Sequence, residues 1–182
     1  MSVIVARWRE WDGDGLQHLV LRTERDEIVA EAALVSGEGA GFGARFRIDC
    51  DGAWRTRRLE VAIAGALRTL IIAGDGHGHW TDADGAALPA LEGAIDVDLA
   101  ATPFTNTLPI RRLALAPGKS AEICTAYVSF PDLALSADPQ RYTRLSPTRY
   151  RYESLDSDFT REIDVDAHGL VVLYPGLFRR IG

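Results

Sequence analysis

The chain has 182 residues, a length that suits one domain with a single sizeable core. Apolar residues make up 47% and charged residues 25%, the balance of an ordinary globular protein, which excludes disorder over most of the length. Twenty basic residues against 26 acidic ones leave a net charge of −6, and that sign argues against general nucleic-acid binding, which needs a basic surface to neutralise phosphates.

Nineteen of the basic residues are Arg, and Lys119 is the single lysine. Codon usage in a GC-rich genome accounts for such a skew. Arg also suits bidentate, partly buried contacts with carboxylates and phosphates. Cys50 and Cys124 stand far apart, form no Cys-x-x-Cys pair and read as small core residues. The apolar run before Arg7 is too short for a signal-peptide core, and no run approaches the ~20 residues that span a bilayer. The expectation is a cytoplasmic protein.

From the first residues onward the apolar pattern has a period of two, the mark of half-buried strands. Val3 and Val5 alternate, with Arg7 and Arg9 in phase behind them. Ile28, Ala30, Ala32 and Leu34 alternate in turn, then Phe46, Ile48 and Cys50 opposite Arg45, Arg47, Asp49 and Asp51. After Trp54, the guanidinium groups of Arg55 and Arg57 lie in phase with Leu59, Val61 and Ile63. Either these two arginines line the polar end of a concave sheet, or a bulge flips the phase and turns them outward. Across 91–99, Leu91, Ile95, Val97 and Leu99 oppose Glu92, Asp96 and Asp98. The segment from Thr102 to Pro109 has two prolines and no alternation, and it reads as an irregular crossing between strands. In that setting Arg111 and Arg112 point to opposite faces. Late in the chain Tyr142, and then Tyr150 and Tyr152, alternate with Arg141, Arg149 and Arg151.

Asp-Gly and Gly-rich signals at 12–15, 37–43, 51–52, 74–78, 82–85, 117–118 and 167–169 separate these runs, supplying the positive φ angles of tight turns. Many short strands at regular spacing, with little helix, predict an all-β fold: a single many-stranded antiparallel sheet, rolled like a barrel, over residues 1–182.

Enzyme and cofactor motifs are absent. The glycines of 37–43 lack phosphate-loop spacing and run into a strand, there is no G-x-S-x-G, and there is no H-E-x-x-H, so no cofactor is expected. His77 and His79 share a face beside Asp75 and are candidate metal ligands, although histidines in a Gly-rich turn are more often solvated. Asp96 and Asp98 share a face and suit paired acid–base chemistry; the plainer reading pairs them with Arg111 or Arg112. Tyr150 and Tyr152 suit sugars and amphiphiles, and equally the rim of a core.

Several strings are more specific. Trp54-Arg55-Thr56-Arg57, Ile95-Asp96-Val97-Asp98-Leu99, the run Thr102-Pro103-Phe104-Thr105-Asn106-Thr107-Leu108-Pro109-Ile110-Arg111-Arg112-Leu113, Gln140-Arg141-Tyr142-Thr143-Arg144-Leu145, Tyr150-Arg151-Tyr152-Glu153-Ser154 and Tyr174-Pro175-Gly176-Leu177-Phe178 together span nearly the whole chain. With them the chain resembles a bacterial family labelled putative glycolipid-binding, formerly a domain of unknown function. The resemblance implies a spiral β-roll, distantly like lipoprotein-carrier proteins, and an amphiphilic ligand with a sugar or other polar head. It brings no catalytic residues with it. Relatives often carry a cysteine where this chain has Ala94, so no role of that thiol applies here.

The leading expectation is therefore a non-catalytic binding protein for a glycolipid or fatty-acyl compound held in a concave β-roll. The candidate ligand set is Trp54, Arg55, Arg57, Asp96, Asp98, Asn106, Arg111, Arg112, Gln140, Tyr142, Tyr150 and Tyr152. The alternatives are a hydrolase or isomerase using Asp96 or Asp98, and a homodimeric interaction module joined through an exposed strand edge.

Overall fold

The computed structural model describes residues 1–37, 39–66 and 68–182. Strands β1 (Ser2–Glu10), β2 (Leu16–Thr23), β3 (Glu27–Ser36), β4 (Phe42–Asp51), β5 (Thr56–Ile63), β6 (Thr69–Gly74) and β7 (Trp80–Asp82) make up the first half. Strand β8 (Asp96–Leu99) and helix α1 (Thr107–Leu113) come next. The second half holds β9 (Ser120–Val128), β10 (Leu135–Ser146), β11 (Arg149–Ser154), β12 (Thr160–Val165), β13 (Val171–Tyr174) and β14 (Phe178–Arg180).

All fourteen strands belong to one sheet, in the order β7-β6-β5-β4-β3-β2-β1-β14-β13-β12-β11-β10-β9-β8. The two ends of the chain meet in its middle, where Trp8 of β1 pairs with Arg180 of β14. The all-β expectation holds, with one qualification: β8 runs parallel to β9, whereas every other named pairing is antiparallel. A short antiparallel hairpin does not fit there, because α1 and its lead-in occupy the β8–β9 connection and return the chain in the same direction.

Strands β7 and β8 are the two ends of the sheet and do not pair with each other, so the sheet curls into a roll without closing as a barrel. The segment between them ties the ends together. Trp80 Nε1 donates to Ala94 O at 2.7 Å, and Gly93 N donates to Gly78 O at 2.9 Å. Gly78 has φ 102°, and a Cβ placed there would meet Gly93 Cα at 2.8 Å, so only glycine allows this approach.

Curling places one face of each strand inside. Ala6, Trp8, Leu19, Leu21, Ile48, Leu59, Val61 and Ile72 come inward from the first half and pack with Phe104 and Leu108. Fully burying a Leu or Ile of this kind contributes about 1.5–3 kcal/mol. The Trp8 indole keeps its polar end satisfied by donating to Val171 O at 2.7 Å. A second cluster gathers Tyr142, Tyr150, Tyr152, Ile163 and Tyr174 beneath the second half of the sheet. Among the described residues, no helix is long and apolar enough to cross a membrane.

Three local expectations need correction, and the open phase of Arg55 and Arg57 is decided. Val3 and Val5 are about half exposed while Ala6 and Trp8 are buried, so the face shared by Val3, Val5 and Arg7 is the outer one. The register between β4 and β5 shifts at Asp49 and Cys50, and this irregularity flips the phase. Thr56 is therefore buried with Leu59 and Val61, while Arg57 is exposed. The strand expected over 91–99 begins only at Asp96, and Leu91 lies in the 3-10 turn Pro89–Leu91.

The segment with two prolines is helical. Thr102 caps the 3-10 turn Pro103–Asn106 by accepting from Phe104 N, and α1 follows directly. Pro103 and Pro109 both sit in first turns, where a missing N–H leaves no intrahelical bond unmade. Arg111 and Arg112 consequently diverge around a helix rather than facing opposite sides of a strand.

Candidate functional site

The irregular β8–α1 connection brings four candidate residues to one place. Asp96 and Asp98, two apart on β8, project toward the same side. Asp96 is fully buried and receives a two-armed contact from α1: Arg112 Nε donates to Oδ1 at 3.0 Å and Nη2 to Oδ2 at 2.6 Å. Burial pushes the Asp96 carboxyl up, and the guanidinium opposes that push by hydrogen bonding and charge. Arg112 is the arginine that faces inward, with its side chain only 15% exposed.

Asp98 has no such cation. Its Oδ1 accepts from Thr105 Oγ1 at 2.8 Å and its Oδ2 from Gln140 Nε2 at 2.7 Å. The same Gln140 nitrogen donates to Asp138 Oδ2 at 2.6 Å, so one amide bridges two carboxylates. Burial raises the carboxyls of Asp98 and Asp138, and negative neighbours raise them further: Asp138 and Asp96 for Asp98, and Asp156 for Asp138. The hydrogen bonds from Thr105 and Gln140 only partly offset this.

Above these acids lies an open cavity of about 400 Å³, within the range that small ligands occupy and far larger than a few waters need. Aromatic rings form one wall. Tyr152 packs edge-on to buried Tyr142 at 5.5 Å between centroids and to Phe159 at 5.8 Å, and Phe159 continues to Tyr174 at 6.5 Å. Burial raises the phenols of Tyr152 and Tyr174, so both are protonated donors at neutral pH. Asn106 fixes the floor: Tyr142 Oη donates to its Oδ1 at 2.9 Å, and its Nδ2 donates to Pro103 O at 3.3 Å. Leu177 and Phe178 add apolar area on the side of β14. Among the described residues, the acids lining the cavity are Asp98, Asp138 and Asp156, and no lining residue carries a positive charge.

The structure thus divides the candidate set predicted from sequence. Asp98, Asn106 and Tyr152 line the cavity, while Gln140 and Tyr142 stand directly behind it and hold its lining groups in place. Asp96 and Arg112 form the buried pair beneath. Trp54, Arg111 and Tyr150 lie elsewhere. Arg111 stacks on Trp54 with its guanidinium carbon 5.0 Å from the ring centroid, and Arg111 and Tyr150 border a separate cleft near Arg144 and Asp166. Arg55 and Arg57 sit outside both, turned to Asp51, whose Oδ2 accepts from Arg55 Nε at 2.8 Å.

The sequence reading missed Asp138, Thr105, Phe159 and Tyr174. Asp138 was within reach of pattern reasoning, because Asp138, Gln140 and Tyr142 share one face of β10 by the two-residue period. Phe159 and Tyr174 reach the cavity only through strand order, which no local pattern reveals. His79, the other metal candidate with His77, places Nδ1 2.8 Å from Asp75 Oδ2 in an exposed turn.

Over residues 5–180 the chain matches a family model described as "Putative glycolipid-binding". No curated protein matches it. Among solved structures it is similar to the crystal structure of a DUF1089 family protein from Pseudomonas aeruginosa, with 40% sequence identity and a TM-score of 0.79 over 91% of this chain and 92% of that one. With the match spanning nearly every strand of the sheet, the chain belongs to the putative glycolipid-binding family.

Proposed function

We propose that the protein binds an amphiphilic molecule, with the polar head seated in the cavity between β8, β10 and β13 and an apolar portion running along Leu177 and Phe178. The observation that carries this reading is the lining itself, where an aromatic wall of Tyr152, Phe159 and Tyr174 faces the acceptor oxygens of Asp98 and Asp138. Flat rings pack against apolar ring faces and chains, while buried carboxylates accept hydrogen bonds from hydroxyl or amine groups. The family description supports the same reading.

The test is a cavity-filling substitution. Ser136 lines the cavity, is exposed and shares the β10 face of Asp138 and Gln140, so Ser136→Trp fills the space without disturbing the core. The variant is expected to fold with unchanged stability and to lose binding of decyl glucoside by calorimetry below its micelle concentration. Equal binding by both proteins would refute this placement.

A second reading is favoured by one observation. Asp98 is a carboxyl raised by burial at the edge of a cavity and coupled through Gln140 to a second acid, an arrangement that suits general acid catalysis on a glycoside. Turnover of nitrophenyl glycosides that disappears in Asp98→Asn would favour it over simple binding.

A further inference from the structure

At the end of the cavity nearest β8, the donors of Thr105 and Gln140 are already committed to carboxylates. Gln140 Nε2 gives its two hydrogens to Asp98 and Asp138, and Thr105 gives its hydroxyl proton to Asp98. Gln140 is fully buried behind the lining, and its remaining polar atom, Oε1, has no hydrogen-bond partner among the described residues. Beside these acceptors stands Asp156, which also lines the cavity and accepts from Ser154 Oγ at 2.7 Å. A buried acceptor left unpaired is costly, and a buried charge more so, so such a group ordinarily has an explanation.

The arrangement around Asp96 makes the contrast plain. Two residues away on the same strand, the protein supplies Arg112 as a complete counter-charge. At Asp98 it supplies only neutral donors. Arg161, beside the aromatic wall, covers the face of Phe159 at 4.6 Å, donates to Thr160 O and does not line the cavity. The chemistry that complements these acids is positive and rich in donors. Tyr152 and Tyr174 supply aromatic rings of the kind that attract cations, most strongly where water is excluded.

Resting on the binding reading above, we infer that the head group selected by this cavity carries an ammonium, as an amino sugar or an amine-bearing lipid head does, and that phosphate and sulfate heads are excluded. An ammonium offers its hydrogens to Asp98 and Asp138 and its charge to the aromatic wall. An anionic head would face three carboxylates with no cation to offset them.

The experiment compares three single-chain amphiphiles with a common tail: decylammonium, decyl glucoside and decyl phosphate. Each is titrated calorimetrically into the full chain at pH 7.5 and physiological salt, below its micelle concentration. Ser136→Trp serves as the control for surface binding. Decylammonium is expected to bind at least tenfold more tightly than decyl glucoside, and decyl phosphate more weakly than either. The ratio of ammonium to glucoside affinity should fall about tenfold in Asp98→Asn. Asp138→Asn, at a half-buried site, should lower it in the same direction and serves if Asp98→Asn does not fold.

Glucoside binding that equals or exceeds ammonium binding would overturn the inference and leave the amphiphile reading standing. A ratio unchanged in both variants would also overturn it. Ammonium binding that survives Ser136→Trp would assign the affinity to the acidic surface and overturn it as well. Failure of every probe to bind would remove both readings together.

Discussion

Replacing Arg112 with methionine isolates what the buried ion pair does. Methionine keeps much of the aliphatic stem and removes both donors that hold Asp96. Asp96 is fully buried, and nothing else in its hydrogen-bonding environment is charged, so the variant strands a carboxylate away from water. Breaking a buried pair from one side costs about 3–5 kcal/mol. For a chain of this length that corresponds to a fall of about 10 °C in the unfolding midpoint.

The sign of the pH dependence follows from the same geometry. Loss of the guanidinium removes the influence that opposes burial, so the folded-state pKa of Asp96 rises further above its unfolded value. A group raised in the folded state binds its proton more tightly there, so stability falls as pH rises from the ordinary carboxylate range through the raised value. The deficit of Arg112→Met is therefore smaller at pH 5 than at pH 8. Urea denaturation at the two pH values measures it. The double variant Asp96→Leu with Arg112→Met, which leaves no buried charge, should recover most of the loss. A single-variant cost below about 1 kcal/mol at pH 8 would refute the claim that Asp96 is an ionised, enclosed partner of Arg112.

Three further outcomes are expected. Gly78→Ala forces a side chain into the contact with Gly93 at a positive φ and should cost about 2 kcal/mol, read by thermal unfolding; an unchanged midpoint would mean that the two ends of the sheet are not tied there. Asp98 has a folded pKa raised by burial, so wild-type stability declines as pH rises above the ordinary carboxylate value, and Asp98→Asn, freed of that decline, should gain on wild type between pH 4 and pH 8. Parallel stability curves for the two proteins would contradict the burial of that charge. Arg55→Ala loses a half-exposed pair with Asp51 and should change stability by less than about 1 kcal/mol, with ligand affinity unaltered in the same calorimetric assay.

The sheet was legible because its information is local. Strands such as β4 write their inside and outside into every second residue, and Phe46, Ile48 and Cys50 are buried as their spacing requires. The phase of Arg55 and Arg57 was ambiguous because a register shift adds a residue without changing composition, so the same letters describe an inward or an outward strand. The helix over 107–113 was hidden by its prolines, which interrupt strand periodicity and yet are tolerated in a first helical turn. The candidate site was half legible. Asp96, Asp98 and the Gln140–Tyr142 face announced themselves as polar groups in strand phase. The division of labour between them depends on which acid Arg112 reaches, and that is set by the path of the chain between β8 and β9. The cavity also needs Tyr174, which reaches it because the chain ends pair in the middle of the sheet.

The most direct test of the central claim is native mass spectrometry of the protein purified without detergent, run beside Ser136→Trp. The account predicts a stoichiometric amphiphile on the wild-type protein, recoverable by solvent extraction, and an unliganded mass for the folded variant. The same amphiphile on both proteins would place binding elsewhere. An unliganded wild-type protein that also fails to take up decylammonium or decyl glucoside would contradict the account.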